Sequence, residues 1–175
     1  ASMLGCKQVM PHRFMTPNAF LKLIHEEQVT ISAGVPTIWQ GVKAALEAEP
    51  ERYDLSQLSR LTCGGASPPV SMMRWYWETH KIEMVQGWGM TETNPLGTLS
   101  RKVAKRSHLN ISEEQQFENI AKAGLIMPGL EIEIFDEQWN PLAHDGEAVG
   151  ELCIRGPWIA AEYYNDPQPD KFHDG

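Results

Sequence analysis

The residue types best suited to chemistry lie together at positions 85–93, which read Val85-Gln86-Gly87-Trp88-Gly89-Met90-Thr91-Glu92-Thr93. An aromatic ring stands between two glycines and is followed at once by a hydroxyl and a carboxylate. Gly87 and Gly89 carry no side chain, so a ligand can approach the backbone there. Trp88 offers a flat face to a planar base. Thr91 can hold a phosphate oxygen, and Glu92 the divalent metal that accompanies phosphates. The stretch outlines a nucleotide site. A glycine-aromatic-glycine string is also common in plain turns, so its meaning depends on what the rest of the chain places around it.

The preceding residues read as alternating helices and strands. Residues 6–10 form a short apolar stretch, and 11–15 lead to Thr16, an N-cap residue, with Pro17 at the first helical position. Phe20, Leu23, Ile24 and Glu27 follow at helical spacing. The β-branched run 29–33 reads as a strand, ended by Gly34 and Pro36. The spacing of Ile38, Val42, Ala45 and Leu46 predicts a helix over 37–48, stopped by Pro50. After a polar connection through Asp54 and Ser56, residues 60–63 look like another strand, broken by Gly64-Gly65. Ser67-Pro68 reads as a cap and a first-turn proline. Val70, Met73 and Trp77 then mark the buried stripe of a third helix ending near His80, and 82–86 is the next strand.

This order is β-α-β-α-β-α-β, and strands joined by crossover helices pair in parallel with right-handed connections. Parallel strands end on one edge of their sheet. Val35-Pro36-Thr37, Gly64-Gly65-Ala66 and Gly87-Trp88-Gly89 each follow a strand, so they are expected to converge there, although glycine and proline also end strands without any further role. Open α/β sheets bind ligands beyond the carboxyl ends of their strands.

Beyond this, residues 101–123 are polar. Ser112 with Gln115 resembles a capping box, which predicts a helix over 113–122, and Lys102, Lys105 and Arg106 read as a solvated face. After Gly124 the period changes to two. Leu130, Ile132 and Ile134 alternate with Glu131, Glu133 and Phe135; 136–140 looks like a turn; and 150–156 is a second strand bounded by glycines. These strands predict a small antiparallel sheet, with the aromatic run 157–164 packed on it. The expected organisation is an α/β portion over 1–100, a helical connection over 101–123 and an antiparallel β portion over 124–175.

Composition narrows the partners. The chain has 175 residues, 42% of them hydrophobic, enough for a sizeable core. A net charge of -8 leaves no basic stripe for nucleic acid or an anionic membrane. Cys6, Cys63 and Cys153 are odd in number and show no CxxC spacing, which points away from a disulfide framework or a zinc site and toward a cytoplasmic setting. No run approaches the ~18 apolar residues that cross a bilayer. The six histidines are scattered and read as surface residues.

Three stretches, in this order and spacing, resemble the motifs of the adenylate-forming (AMP-binding) acyl-CoA synthetases. They are Thr62-Cys63-Gly64-Gly65-Ala66; the run Gln86-Gly87-Trp88-Gly89-Met90-Thr91-Glu92; and Gly150-Glu151-Leu152-Cys153-Ile154-Arg155-Gly156-Pro157 with Tyr163-Tyr164. Gly5-Cys6-Lys7-Gln8-Val9 and Ala33-Gly34-Val35-Pro36-Thr37-Ile38-Trp39 look most like the medium- and long-chain fatty-acid branch. The resemblance implies a two-step reaction. A fatty-acid carboxylate attacks the α-phosphate of ATP with the help of Mg²⁺, giving acyl-adenylate and pyrophosphate; the thiol of coenzyme A then displaces AMP. Phosphoryl chemistry of this kind needs charge neutralisation and alignment more than a covalent protein group. By similarity, Thr91 hydrogen-bonds an α-phosphate oxygen and Glu92 ligates Mg²⁺, the pair forming the catalytic set. Trp88, where the family most often has tyrosine, stacks on adenine, with the backbone of Gly64, Gly65 and Ala66 on its other side. Gln86, Gly87, Gly89 and Met90 complete the nucleotide loop, Gly89 and Met90 lying near the reacting carboxyl. Val35, Pro36 and Thr37 line the acyl pocket.

The resemblance also implies parts that this sequence does not contain. The family's phosphate loop with its lysine is expected upstream; the ribose-binding aspartate and the lysine of the mobile C-terminal domain are expected after Phe172-His173-Asp174-Gly175. The chain is accordingly expected to be an internal fragment, inactive alone, of an enzyme whose full-length form is compatible with a homodimer. Two other readings remain open at this level: adenylation of an aryl or amino acid, and a nucleotide-binding module without catalysis. A carboxylate kept beside Thr91 favours chemistry.

Overall fold

The computed structural model describes residues 2–13 and 15–172; Phe14, in the run that leads into the first helix, and the closing His173-Asp174-Gly175 lie outside the described residues. Two sheets organise the chain. The first has five strands in the order β1 (Ile31–Gly34), β2 (Arg60–Cys63), β3 (Glu83–Trp88), β4 (Thr98–Ser100) and β5 (Leu125–Ile126). The second is the antiparallel pair β6 (Glu131–Phe135) and β7 (Glu151–Arg155). Helices α1 (Pro17–Glu26), α2 (Pro36–Ala48), α3 (Val70–His80) and α4 (Glu113–Ile120) pack against the first sheet.

Local chemistry sets most helix ends. The Thr16 side chain accepts from the Ala19 N–H at 3.3 Å, and Pro17 opens α1, where no partner for its missing N–H is needed. Pro36 does the same for α2. Helix α3 ends on Lys81 in the left-handed conformation (φ 58°), with the Lys81 N–H on the Trp77 carbonyl and that of Ile82 on the Tyr76 carbonyl, a Schellman closure. Its start departs from expectation. The N-cap is Pro69, and Ser67 donates to Gln86 Oε1 at 3.2 Å instead of capping the helix.

Pairing of β1 with β2 and of β2 with β3 is parallel, as the crossover helices α2 and α3 require. Residues 6–10 take no regular structure, so the parallel part has three strands rather than four. After β3 the direction reverses: β4 runs antiparallel to β3, and β5 antiparallel to β4. The physical reason is length, because the connection 89–97 is shorter than the dozen or so residues a parallel crossover needs. Short strands β4 and β5 have too few residues for a period to show.

The buried core joins Leu21 and Ile24 of α1, Trp39, Val42 and Leu46 of α2, and Met72, Met73 and Tyr76 of α3 to Leu61, Cys63 and Met84 of the sheet. In α3 the burial shifts by a residue from the expected stripe: Met72 and Tyr76 are fully inside, while Val70 and Trp77 are only partly covered. Trp39 is central. It meets Phe20 edge-on at 5.6 Å, its carbonyl accepts from the Tyr76 hydroxyl at 2.7 Å, and its ring lies where any side chain at Gly34 would stand, 2.9 Å from a Cβ there.

Lys102 is buried rather than part of a solvated face. Its ammonium sits 3.8 Å from the Trp77 ring centre and 5.0 Å from that of Phe117, and it pairs with Glu113. Arg74 lies 4.4 Å over the other aromatic, Phe117, and bonds Glu114 at 2.7 Å. These contacts dock α4, whose Ser112–Gln115 capping box forms as expected, onto α3. His80 also departs from a surface placement, since its Nε2 is buried without a partner and burial pulls its pKa down.

In the second sheet, Asp136 accepts from the N–H groups of Gln138 and Asn140 at 2.9 and 2.8 Å and so shapes the expected turn. The segment after β7 returns to the connection 89–97 between β3 and β4, where the Trp158 indole N–H donates to the Leu96 carbonyl at 3.3 Å.

The turn 89–97 is held internally. Thr93 is fully buried; its Oγ1 accepts from the Met90 N–H at 2.8 Å and faces the Pro95 and Met90 carbonyls at 2.7 and 3.0 Å. Asn94 is left-handed, and the Asn94–Pro95 peptide is cis. Thr93→Val leaves the Met90 N–H without this partner and is expected to cost about 1 to 3 kcal/mol, read as a lowered urea midpoint and faster proteolysis within 89–97.

At the start of the central strand β3, Glu83 takes Arg60 at 3.1 Å and Arg101 at 3.0 Å. Burial pushes its carboxyl up, but the two guanidinium groups outweigh this and hold it below its ordinary value of 4.5. The stabilisation is therefore complete above pH 4.5 and lost as the pH falls through the lowered value. Glu83→Gln is expected to cost about 1 to 2 kcal/mol at neutral pH, less than a fully buried pair because both arginines reach solvent, and to flatten the acid limb of a stability-pH curve measured by urea denaturation.

Candidate functional site

The register Gly34–Cys63–Gln86 places the last residues of β1, β2 and the middle of β3 side by side. The three loops beyond them therefore meet. The Gly64 N–H donates to the Gly34 carbonyl at 3.2 Å; a Cβ on Gly64 would stand 3.6 Å from the Gly87 carbonyl; one on Gly65 would stand 3.5 Å from Val35. Gly65 has φ +81°, a conformation that disfavours other residues. Ser67, at the end of the second loop, reaches Gln86 of the third. Val35 is 44% exposed and Met90 48% exposed, so both present apolar surface at this edge.

Gly87 and Gly89 are also places of close packing. A Cβ on Gly87 would meet Leu96 at 3.0 Å, and one on Gly89 would lie 1.9 Å from the Pro95 carbonyl. Both glycines let the turn fold back on itself. Gly87 and Trp88 belong to β3, with Trp88 paired to Thr98. The half-buried Trp88 ring rests on Gly97, where a Cβ would approach it to 2.7 Å, and Ile154 of β7 flanks the same glycine. A tryptophan braced in this way is a rigid plate.

Thr91 is exposed and opens a single 3₁₀ turn, Thr91–Thr93. Glu92 within it is held by the C-terminal segment. Tyr163 donates its hydroxyl to Glu92 Oε1, and the Ala160 N–H donates to the Glu92 carbonyl at 2.8 Å. The phenol hydrogen bond, helped by Glu92's own N–H and by the charge of Lys171, holds the carboxyl below its ordinary value; the same bond pushes the Tyr163 hydroxyl up. Both directions describe one arrangement, an ionised carboxylate accepting from a protonated phenol. Among the described residues no cluster of three or more His, Cys, Asp or Glu could hold a metal. One half-buried carboxylate beside an exposed hydroxyl fits Mg²⁺ held jointly with nucleotide phosphates, which is how that ion is usually bound, and does not fit an all-protein cage.

Sequence reasoning missed Ser67 as a contact of Gln86, Thr93 as the centre of the turn, and Tyr163 as the partner of Glu92. The last carried only an aromatic signal shared with its neighbour Tyr164, which is 93% exposed. A separate groove of about 580 Å³ lies beside β1, lined by Cys6, Met10, Phe20, Leu23, Val29 and Ile31 among others, and includes none of the loop residues above.

Comparison with known proteins agrees with this geometry. The profile of the AMP-binding enzyme family matches residues 1–164. A long-chain-fatty-acid–CoA ligase of Thermus thermophilus is 37% identical over 169 residues, covering 96% of this chain and 30% of the relative. A medium-chain-fatty-acid–CoA ligase of Ectopseudomonas oleovorans is 31% identical over 175 residues, covering 100% of this chain and 31% of the relative. The chain thus spans about a third of the length of these relatives. In fold it superposes on a long-chain-fatty-acid-CoA ligase from Archaeoglobus fulgidus with a TM-score of 0.71 at 20% identity, covering 90% of this chain and 30% of that one. Strand-end loops in register, a braced aromatic plate and a Thr-Glu turn thus coincide with a match over most of the sequence, and the chain belongs to the AMP-binding enzymes, the adenylate-forming family that includes the acyl-CoA ligases.

Proposed function

We propose that the chain forms the adenine-binding part and one wall of the acyl pocket of a fatty-acid–CoA ligase, and that it is inactive without the remainder of that enzyme. The observation that carries this reading is the position of Thr91 and Glu92, in the turn that directly follows the strand whose neighbours supply the two other loops. Trp88 stacks on adenine from its braced position, with the backbone of Gly64, Gly65 and Ala66 opposite and Gln86 and Gly87 completing the floor. Thr91 donates its hydroxyl to an α-phosphate oxygen. Glu92 would hold Mg²⁺ together with the phosphates, and the bound ion would supply neutralisation of phosphate charge. Val35, Pro36 and Thr37, with exposed apolar surface at Val35, guide the acyl chain, while Gly89 and Met90 lie beside its carboxyl group.

The reaction then follows from alignment. A carboxylate oxygen attacks the α-phosphorus in line with the leaving pyrophosphate, giving an acyl-adenylate; the thiol of coenzyme A attacks the acyl carbon and AMP departs. What this chain contributes is orientation and charge stabilisation, both realised without a covalent protein intermediate.

The full-length enzyme is expected to catalyse ATP/pyrophosphate exchange that depends on aliphatic acids, with aryl and amino acids as controls. Exchange with those controls alone replaces the fatty-acid reading; binding of ATP with no exchange for any carboxylate leaves a nucleotide-binding module. In an active enzyme, Glu92→Ala is expected to slow exchange by about 10²-fold with the fold intact by circular dichroism. An unchanged rate removes Glu92 from the metal role. Trp88→Ala is expected to weaken ATP binding by ~1 to 3 kcal/mol, the range for base stacking on aromatics, as measured by calorimetry.

A further inference from the structure

The side chain of Glu92 takes its partner from far along the chain. Tyr163, 71 residues downstream, donates to Oε1. The same segment also fixes the backbone of Glu92, through the Ala160 N–H on its carbonyl at 2.8 Å. One bond orients the carboxylate and the other fixes the peptide that carries it. A free glutamate samples three side-chain torsions, and ordering it carries an entropic cost that a reactive complex would otherwise bear.

Tyr163 is suited to that task because it is itself fixed. Its ring meets Phe172 edge-on, with centroids 5.0 Å apart and planes at 86°. Its backbone forms an isolated bridge with Asp166, whose N–H reaches the Tyr163 carbonyl at 3.3 Å. Lys171 stands 5.8 Å from the ring centre. The hydroxyl thus projects from a rigid plate with few torsions of its own.

Resting on the ligase reading above, we propose that Tyr163 is a positioning residue for adenylation: its hydroxyl ties Oε1 of Glu92, so that Oε2 is presented in one orientation to the metal and phosphates. Groups that orient a metal-binding side chain commonly matter to affinity and rate by about 10-fold to 100-fold. The segment 160–163 is therefore part of the site although it lies on the far side of the second sheet in sequence. Its aromatic neighbour Tyr164 makes no comparable claim, being almost wholly exposed.

The test uses the full-length enzyme and Tyr163→Phe, which keeps the ring against Phe172 and removes only the hydroxyl. The expected result is an exchange rate lowered about 10-fold to 100-fold with little change in the KM for ATP, and a weaker affinity for Mn²⁺ measured by electron paramagnetic resonance in the presence of a non-hydrolysable ATP analogue. If the hydroxyl acts through the carboxylate, Tyr163→Phe adds little further loss to Glu92→Gln. Wild-type rate and wild-type Mn²⁺ affinity in Tyr163→Phe overturn the proposal, as does a loss that multiplies fully with that of Glu92→Gln. A lowered melting temperature with unchanged Mn²⁺ affinity assigns Tyr163 a purely structural role and overturns it too. Should the wild-type enzyme show no exchange while Mn²⁺ affinity still falls in Tyr163→Phe, the ligase reading fails and the orienting contact stands.

Discussion

Parallel, in-register pairing of β1, β2 and β3 is the constraint on which the rest depends. Because Gly34, Cys63 and Gln86 are neighbours in the ladder, the loops that follow them have only one place to go. Crossover helices enforce that pairing, and their packing is enforced in turn by Trp39, which sits against Gly34 and accepts from Tyr76. A single buried aromatic thus links the two crossover helices to the edge where the three strand-end loops meet. Distances at that edge follow from the sheet spacing and need no special loop design.

The reversal after β3 adds what parallel strands cannot. A short return lets the chain lay Gly97 under Trp88 and close a turn around Thr93, so that a hydroxyl and a carboxylate emerge from a loop with its own internal bonds. Rigidity here comes from close backbone approach. Gly89, Gly97 and Gly124 stand where any Cβ would come within 3 Å of a neighbouring atom, with the Pro95 carbonyl, the Trp88 ring and the Leu99 backbone respectively as the obstacles. At these three positions packing itself requires glycine.

Legibility in the sequence follows the range of the interaction. Thr16 with Pro17, and Ser112 with Gln115, announce helix starts because their partners lie within a few residues. The three loops were readable because periodicity identifies strands and topology aligns their ends. Lys102 was not: its neighbours Trp77 and Phe117 come from two separate helices, and a lysine near other basic residues reads as solvated. Ser67 has the composition of a cap, but a neighbouring strand offers Gln86 as a competing partner. β4 and β5 are shorter than any reliable period. For Tyr163, nothing local separates a side chain that reaches the site from one that points to solvent.

The pairing of Tyr163 with Glu92 also has a consequence in time. A ribosome adds residues in order, so Glu92 emerges while its partner is still 71 residues from being made. Local pieces, such as α3 and the turn around Thr93, can form first; closure of so long a loop carries an entropic cost that must be met before the contact returns any stability. The turn can therefore be in place while its carboxylate is still free to rotate.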